Sequence, residues 1–322
     1  MTSDLKSFIS TCNKELGDNT AILIDEDYKV DVDVIPTGIE SVDNAFGIGG
    51  FPRGRISEVY GKEGSGKTTL CLHAIAQANK RGLDCAFIDI EHAISFKRMK
   101  ELGVDMSKLV FSQPNSGEEA LNLVDMMVRD GRFAMIVVDS VAALIPQVEV
   151  EKDMGDSVMG VHAKLMSQAM RKLTAPTAKS NTALVFTNQT RSKIGVMWGN
   201  PETTTGGVAI KFYASLRVRM AYTGKIKDGN TQVACKGKLV VVKNKLAVPF
   251  KEAEFEINQS GIDDSGALIE TLVEKGVLTK AGSFYKFKGE VIAQGARSLS
   301  EKLKKNEELR TEIIDLLHKQ NK

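Results

Sequence analysis

Four cysteines (Cys12, Cys71, Cys85 and Cys235) are all the chain has, and none forms a CxxC pair or a metal-ligand spacing. That excludes a zinc module of the usual spacing and leaves reduced, mostly buried thiols as the expectation, with disulfides the minor alternative. Long apolar runs are missing too: none approaches the roughly 20 residues of a membrane span, and no signal-peptide pattern precedes the first charged residues. The expectation is a soluble, cytoplasmic protein with no membrane partner. Charge of one sign is also scarce. The net charge of +2 is too small to announce nucleic-acid binding, but residues 276–322 carry ten Lys/Arg against six Asp/Glu. A basic C-terminal end of that kind is a candidate surface for a polyanion. No internal repeat or low-complexity tract appears.

What is present is ordinary globular material: 322 residues, 42% apolar and 26% charged, enough for one large domain with smaller attachments. Residues 4–16 have helical spacing, with Leu5, Phe8, Ile9 and Cys12 on one face. Together with the apolar triplet 22–24 they make residues 1–34 a helix-plus-strand arm. By its stripe alone, such an arm folds back on its own body or docks on a neighbour, the first being favoured. Short apolar runs at 56–60, 85–89, 109–111, 135–139 and 183–187 alternate with helical segments. This pattern predicts an α/β fold with a mostly parallel sheet flanked by helices. Residues 211–257 read as β-rich. From 261 the pattern becomes a helix, a small β segment at 283–287 and a basic helical end, predicting a small C-terminal α/β subdomain. The expected division is therefore 1–34, 35–260 and 261–322.

The strongest motif is Gly61, Lys62, Glu63, Gly64, Ser65, Gly66, Lys67 and Thr68, which matches G-x-x-x-x-G-K-[ST] at every fixed position. It follows the strand ISEVY and opens a helix at Thr69, the context the motif requires. Glycines let backbone N–H groups curl around phosphate oxygens, and the helix start adds a favourable dipole. Lys67 would meet the β- and γ-phosphates of ATP, and Thr68 would hold Mg²⁺. Asp139, ending the apolar run IVVD, is the expected carboxylate partner for the metal ion. Glu91 follows another strand, FIDIEH, and would face the ligand crevice as a general base. Its alternative is a solvated helix cap.

The segment 190–207 fits neither period. It holds four glycines, a proline and three consecutive threonines, yet also Ile194, Met197 and the only tryptophan, Trp198. Arg191 and Lys193 could neutralise phosphates while the apolar side chains meet splayed bases. Such a loop in isolation reads more readily as a disordered lid; its position immediately after the polar Gln189 favours DNA binding.

The blocks IPTGIESVDNAFGIGGFPRGRI, YGKEGSGKTT, FIDIEHA, IVVDSVAAL, MGDSVMG, MSQAMRKL, NQTRSKIGVMWGNPETTTGG, KFYASLR and VVKNKLAVPFKEAEF occur in this order. Together they closely resemble the RecA family of recombinases, most clearly over residues 30–257 and more loosely at both ends. The resemblance implies a RecA-type ATPase core that polymerises as a helical filament on single-stranded DNA, pairs it with double-stranded DNA, and drives strand exchange in recombinational repair and the SOS response. Repressor and loader proteins are further partners it implies. Glu91 takes the family's catalytic position and Gln189 that of the γ-phosphate-sensing glutamine. Lys243 and Lys245 resemble the lysines that reach a neighbouring protomer's ATP. Segment 147–160, with Met159, resembles the first DNA loop, Arg171 a phosphate-contacting arginine, and 190–207, through Gly206 and Gly207, the second. Residues 1–34 resemble the arm that packs on the adjacent protomer, which reverses the preference taken from the stripe alone.

Departures from the family cluster at the nucleotide base. Arg98 stands where a tyrosine usually covers adenine, Ser95 where an aspartate is usual, and Gln259 replaces a second tyrosine. Either the Arg98 guanidinium plane or Phe96 holds the base, or Arg98 turns to solvent or to Glu101. The competing functions are a ring-forming DNA motor on the same core and an ATP-switched DNA scaffold with negligible turnover.

Overall fold

A computed structural model describes residues 2–17, 21, 32–153, 160–192, 202–229 and 231–320. The chain divides into two compact units, Met1–Asp33 and Val34–Lys322. In the first, helix α1 (Thr2–Leu16) carries the expected stripe, with Leu5 and Phe8 exposed. Asn13 at its end bonds the backbone of Ala21 through both amide atoms, at 2.8 and 2.9 Å. Most of the strand expected in this arm lies outside the described residues.

The second unit opens with β1 (Val34–Ile35), α2 (Glu40–Phe46) and β2 (Phe51–Pro52). Then β3 (Arg55–Gly61), α3 (Lys67–Lys80), β4 (Asp84–Asp89), α4 (Phe96–Glu101), β5 (Leu109–Ser112), α5 (Gly117–Asp130) and β6 (Phe133–Asp139) alternate as the sequence predicts. Next come α6 (Gln147–Val150), α7 (Val161–Ser180), β7 (Ala183–Ser192), β8 (Glu202–Thr204) and α8 (Ala209–Tyr213). Four strands follow: β9 (Leu216–Asp228), β10 (Thr231–Asn244), β11 (Glu252–Asn258) and β12 (Gly261–Asp263). The chain closes with α9 (Ser265–Glu274), β13 (Thr279–Ala281), β14 (Phe284–Phe287), β15 (Glu290–Gln294), α10 (Ala296–Lys305) and α11 (Glu307–Gln320).

The main sheet runs β12-β11-β10-β9-β3-β7-β6-β4-β5, with β8 paired to β7 off this path. Its half from β9 to β5 is parallel, and β9 to β12 is antiparallel. Every residue of β6 (FAMIVVD) is buried, as a strand covered on both faces must be. Its side chains alternate between two cores: Met135 and Val137 join the cluster under α3, while Ile136 and Val138 join the one under α5 and α7. Local signals agree with this packing. Ser116 caps α5 by accepting the Glu119 N–H at 3.2 Å, and Gly131 ends the helix at φ 80°. Residues beyond 264 carry their own core of Leu268, Leu272, Tyr285, Leu299, Ile313 and Leu317 around the three-stranded β13-β14-β15 sheet. Among the described residues no helix is long and apolar enough to cross a membrane.

Candidate nucleotide and DNA site

The phosphate loop joins β3 to α3, and its glycines are dictated by space. A Cβ on Gly61 would strike the Met220 carbonyl and Ser65 Oγ. Gly66 caps α3 in the left-handed region at φ 90°, where a Cβ would lie 2.6 Å from Ile257 Cδ1. Lys62, Glu63 and Gly64 are exposed, Thr68 and Thr69 half-buried, and Lys67 is 9% exposed. Lys67 Nζ donates to the carbonyls of Gly61 at 3.2 Å and Lys62 at 2.9 Å. Burial pulls its pKa below the usual lysine value, opposed by the nearby Asp139 and Glu91 charges.

A triphosphate fits this cradle. Among the described residues Ser65 Oγ is buried without a hydrogen-bond partner, the hydrogen bonds of the ammonium go to neutral carbonyls, and the first-turn amides of α3 have no intrahelical acceptor. Thr68 Oγ1 donates to Asp139 Oδ2 at 2.6 Å, and the Thr187 hydroxyl donates to Oδ1. Burial raises the Asp139 carboxyl above its ordinary range, while those hydroxyls and Lys67 pull it back. Among the described residues no three His, Cys, Asp or Glu side chains gather around a metal position. The Thr68–Asp139 pair suits Mg²⁺, which binds through one or two protein oxygens plus substrate phosphates.

Parallel register places Asp89 beside Asp139 and Gln189 beside Gly61, so three strand ends converge on the loop. Glu91 Oε1 accepts from the buried Ser140 hydroxyl and from Gln189 Nε2, the latter at 3.0 Å. Glu91 itself is exposed. Gln189 lies in β7, whose far end pairs with β8 (Thr190↔Thr204, Arg191↔Thr203, Ser192↔Glu202) and so closes the stem of the second loop. Arg191 is exposed on that stem, and Arg171 is exposed on α7. Gly206 and Gly207 (φ 81° and 76°) pack against the turn after β6 and the start of α7, where a Cβ would crowd Val141 at 2.8 Å and Ala163 at 3.0 Å, respectively. They fix the loop's exit against the helix. Lys193, Ile194, Met197 and Trp198, and Met159 in the first loop, lie outside the described residues. A groove of about 490 Å³ separates the phosphate loop from β9 and β10, bordered by Thr190, Glu202 and Arg219. Arg219 pairs with Glu202 at 3.3 Å.

Lys243 Nζ donates to the carbonyls of Lys211 at 2.6 Å and Phe212 at 2.9 Å, and Lys245 Nζ reaches Phe212 O at 3.4 Å. Both cations therefore sit at the negative end of α8. Burial depresses the Lys243 pKa, and Lys245 and Arg217 add to the effect.

The Arg98 guanidinium donates to the carbonyl of Gln259 and, at 3.3 Å, to that of Asn258. It also stands 3.6 Å from the Glu101 carboxylate. Arg98 thus ties α4 to the turn between β11 and β12, beside His73, whose pKa burial pushes down to about 4 with help from the Arg98 charge. With Nη1 and Nη2 engaged by these partners, the guanidinium face remains for a base. Arg98→Tyr is expected to change ATP-over-GTP selectivity by no more than about 1 kcal/mol, because the phosphates dominate affinity. Competition of GTP against bound ATP measures it, and identical selectivity in the variant removes Arg98 from the base pocket.

Sequence reading missed Ser140, Thr187, Glu58 and Arg217. A glutamate inside the apolar run ISEVY was the one visible signal, because a charge at a buried strand position needs a partner.

Comparison with known proteins agrees with the geometry. The RecA N-terminal domain model matches residues 3–263 and the RecA C-terminal domain model residues 266–322. The Protein RecA of Francisella tularensis subsp. novicida (strain U112) and that of subsp. tularensis (strain SCHU S4 / Schu 4) are each 51% identical over 319 residues. Those matches cover 97% of this chain and 89% of each relative.

Proposed function

The chain belongs to the RecA family, with its DNA-dependent ATPase activity and recombinase function in DNA repair, and from that premise we propose how its residues divide the work. Residues 61–69 bind ATP, with Lys67 neutralising the β- and γ-phosphates and Thr68 and Asp139 holding Mg²⁺, which supplies charge stabilisation when bound. Glu91 positions the attacking water and takes its proton as the bond to the γ-phosphorus forms and ADP leaves. Gln189 answers to the γ-phosphate. The two loops, 147–160 and 190–207, with Met159, Arg171, Arg191, Lys193, Ile194, Met197 and Trp198, hold single-stranded DNA in a filament of protomers linked through residues 1–34.

The observation that carries this reading is the 3.0 Å contact between Gln189 and Glu91. It supports the reading because one hydrogen bond joins Glu91 to Gln189 at the foot of the second loop, so that on this reading occupancy of the phosphate site bears on the loop. Phosphate release with and without single-stranded DNA tests it: DNA should raise the rate, and a DNA-independent rate contradicts the coupling.

Lys243 and Lys245 act in trans on this reading, leaving the α8 carbonyls for a neighbour's phosphates. Lys243→Ala and Lys245→Ala should bind ATP normally yet lose most DNA-stimulated hydrolysis. Mixing either with Lys67→Ala protein should restore turnover, because one protomer then supplies the ATP site and the other the lysines. Mixed filaments as inactive as the separate variants would count against the trans role.

A further inference from the structure

Glu58 is a carboxylate with 0% exposure in the middle of the central strand β3. Burying a charge there is costly unless every lone pair is met. Both oxygens are engaged: Oε2 accepts from Arg217 Nε at 2.5 Å and Oε1 from Asn188 Nδ2 at 2.8 Å. The register of β3 with β9 sets Arg217 directly opposite Glu58, and its guanidinium lies 4.9 Å from the Tyr60 ring centroid. A sheet-stabilising ion pair would account for that half of the cluster.

It does not account for Asn188. This buried amide uses all four of its bonding positions. Nδ2 donates to Glu58 and, at 3.1 Å, to the Thr205 carbonyl. Oδ1 accepts from the Thr205 hydroxyl at 2.5 Å and from the backbone N–H of Gln189 at 2.9 Å. A carboxylate can only accept, so Glu58 dictates which end of the amide faces it. The opposite end is then committed to Thr205 and to Gln189. Thr205 is the first residue after β8, at the return end of the segment that leaves β7.

We propose that Asn188, oriented by Glu58, is a positioning residue that clamps the return end of the second loop, through Thr205, to the backbone of Gln189. Both ends of the loop are thereby tied to the residue beside Glu91: one by the β7–β8 stem, the other by the Asn188 amide. A shift of Gln189 toward a γ-phosphate pulls on its own N–H, hence on Asn188 Oδ1 and on the Thr205 hydroxyl bonded to the same atom. The inference rests on the reading that Gln189 responds to the γ-phosphate and that 190–207 holds DNA.

Thr205→Val removes the hydroxyl at a half-buried position that leaves the phosphate loop untouched, and Thr205→Ser keeps it. In the full-length protein, single-stranded DNA affinity is measured with a non-hydrolysable ATP analogue and with ADP, alongside DNA-stimulated kcat and the ATP affinity in the absence of DNA. The nucleotide-dependent gain in DNA affinity should fall about tenfold in the valine variant, the scale of one lost hydrogen bond. DNA-stimulated kcat should fall with it, ATP affinity in the absence of DNA should stay within about twofold, and the serine variant should recover the gain. Glu58→Gln, which keeps the shape but lets the Asn188 amide flip, should lose the gain in the same direction. A valine variant with the wild-type gain, one whose ATP affinity without DNA falls in proportion, or a serine variant as impaired as valine would each overturn the clamp. A wild-type protein with no nucleotide-dependent gain would instead overturn the reading of the site, and the clamp with it.

Discussion

Lys67→Ala is expected to abolish tight ATP binding and, with it, all DNA-stimulated hydrolysis. The Lys67 ammonium is mostly buried and, among the described residues, its hydrogen bonds go to the neutral carbonyls of Gly61 and Lys62. A phosphate oxygen is a far better partner than a carbonyl for a desolvated cation, so binding exchanges weak bonds for charge-assisted ones. Truncating one partner of such a pair costs about 2–5 kcal/mol, or roughly 30- to several-thousand-fold in affinity. Alanine is a good helix former, so α3 should persist and the loss should be local. Titration calorimetry with ATP checks it. Wild-type affinity in the variant would remove residues 61–68 from the site.

Glu91→Gln should do the reverse, leaving ATP and DNA bound while turnover stops. The amide keeps the carboxylate's shape, and its oxygen can still accept from Ser140 and from Gln189. It cannot accept the proton of an attacking water. The expected loss is at least about 10²-fold in hydrolysis, the usual worth of a general base. Single-turnover phosphate release, paired with a DNA-binding measurement, separates chemistry from assembly. Near-normal hydrolysis would make Glu91 a solvated cap on the segment that follows β4.

What could be read in the sequence was what the backbone dictates locally. The phosphate loop was legible because its glycines answer to geometry: a carbonyl lies behind Gly61, and Gly66 adopts a left-handed turn. The parallel strands were legible because burial on both faces leaves uninterrupted apolar runs such as IVV in β6. In the C-terminal subdomain the run at 283–287 pointed to β14. Its partners β13 and β15 did not stand out, because they are short, with mostly exposed side chains.

Long-range partnerships were illegible in principle. Glu58 meets Arg217 only because β9 happens to lie beside β3, and nothing local to either residue encodes that. Asn188 was in view beside Gln189, yet its bond to Thr205 depends on where the second loop returns. From the sequence, Arg98 either faces the base, a place Phe96 could also take, or turns to solvent or to Glu101. The carbonyls of Asn258 and Gln259 that also engage it could not be seen, because a backbone acceptor leaves no mark on residue type. Likewise the α8 carbonyls that hold Lys243 and Lys245 are invisible to a reading of side chains.

The central claim is that ATP bound at residues 61–68 assembles this chain on single-stranded DNA. Electron microscopy of the full-length protein with single-stranded DNA and a non-hydrolysable ATP analogue tests it most directly. Continuous helical filaments that vanish when the analogue is omitted are the predicted result. Closed rings, or dispersed particles with the analogue present, would contradict it.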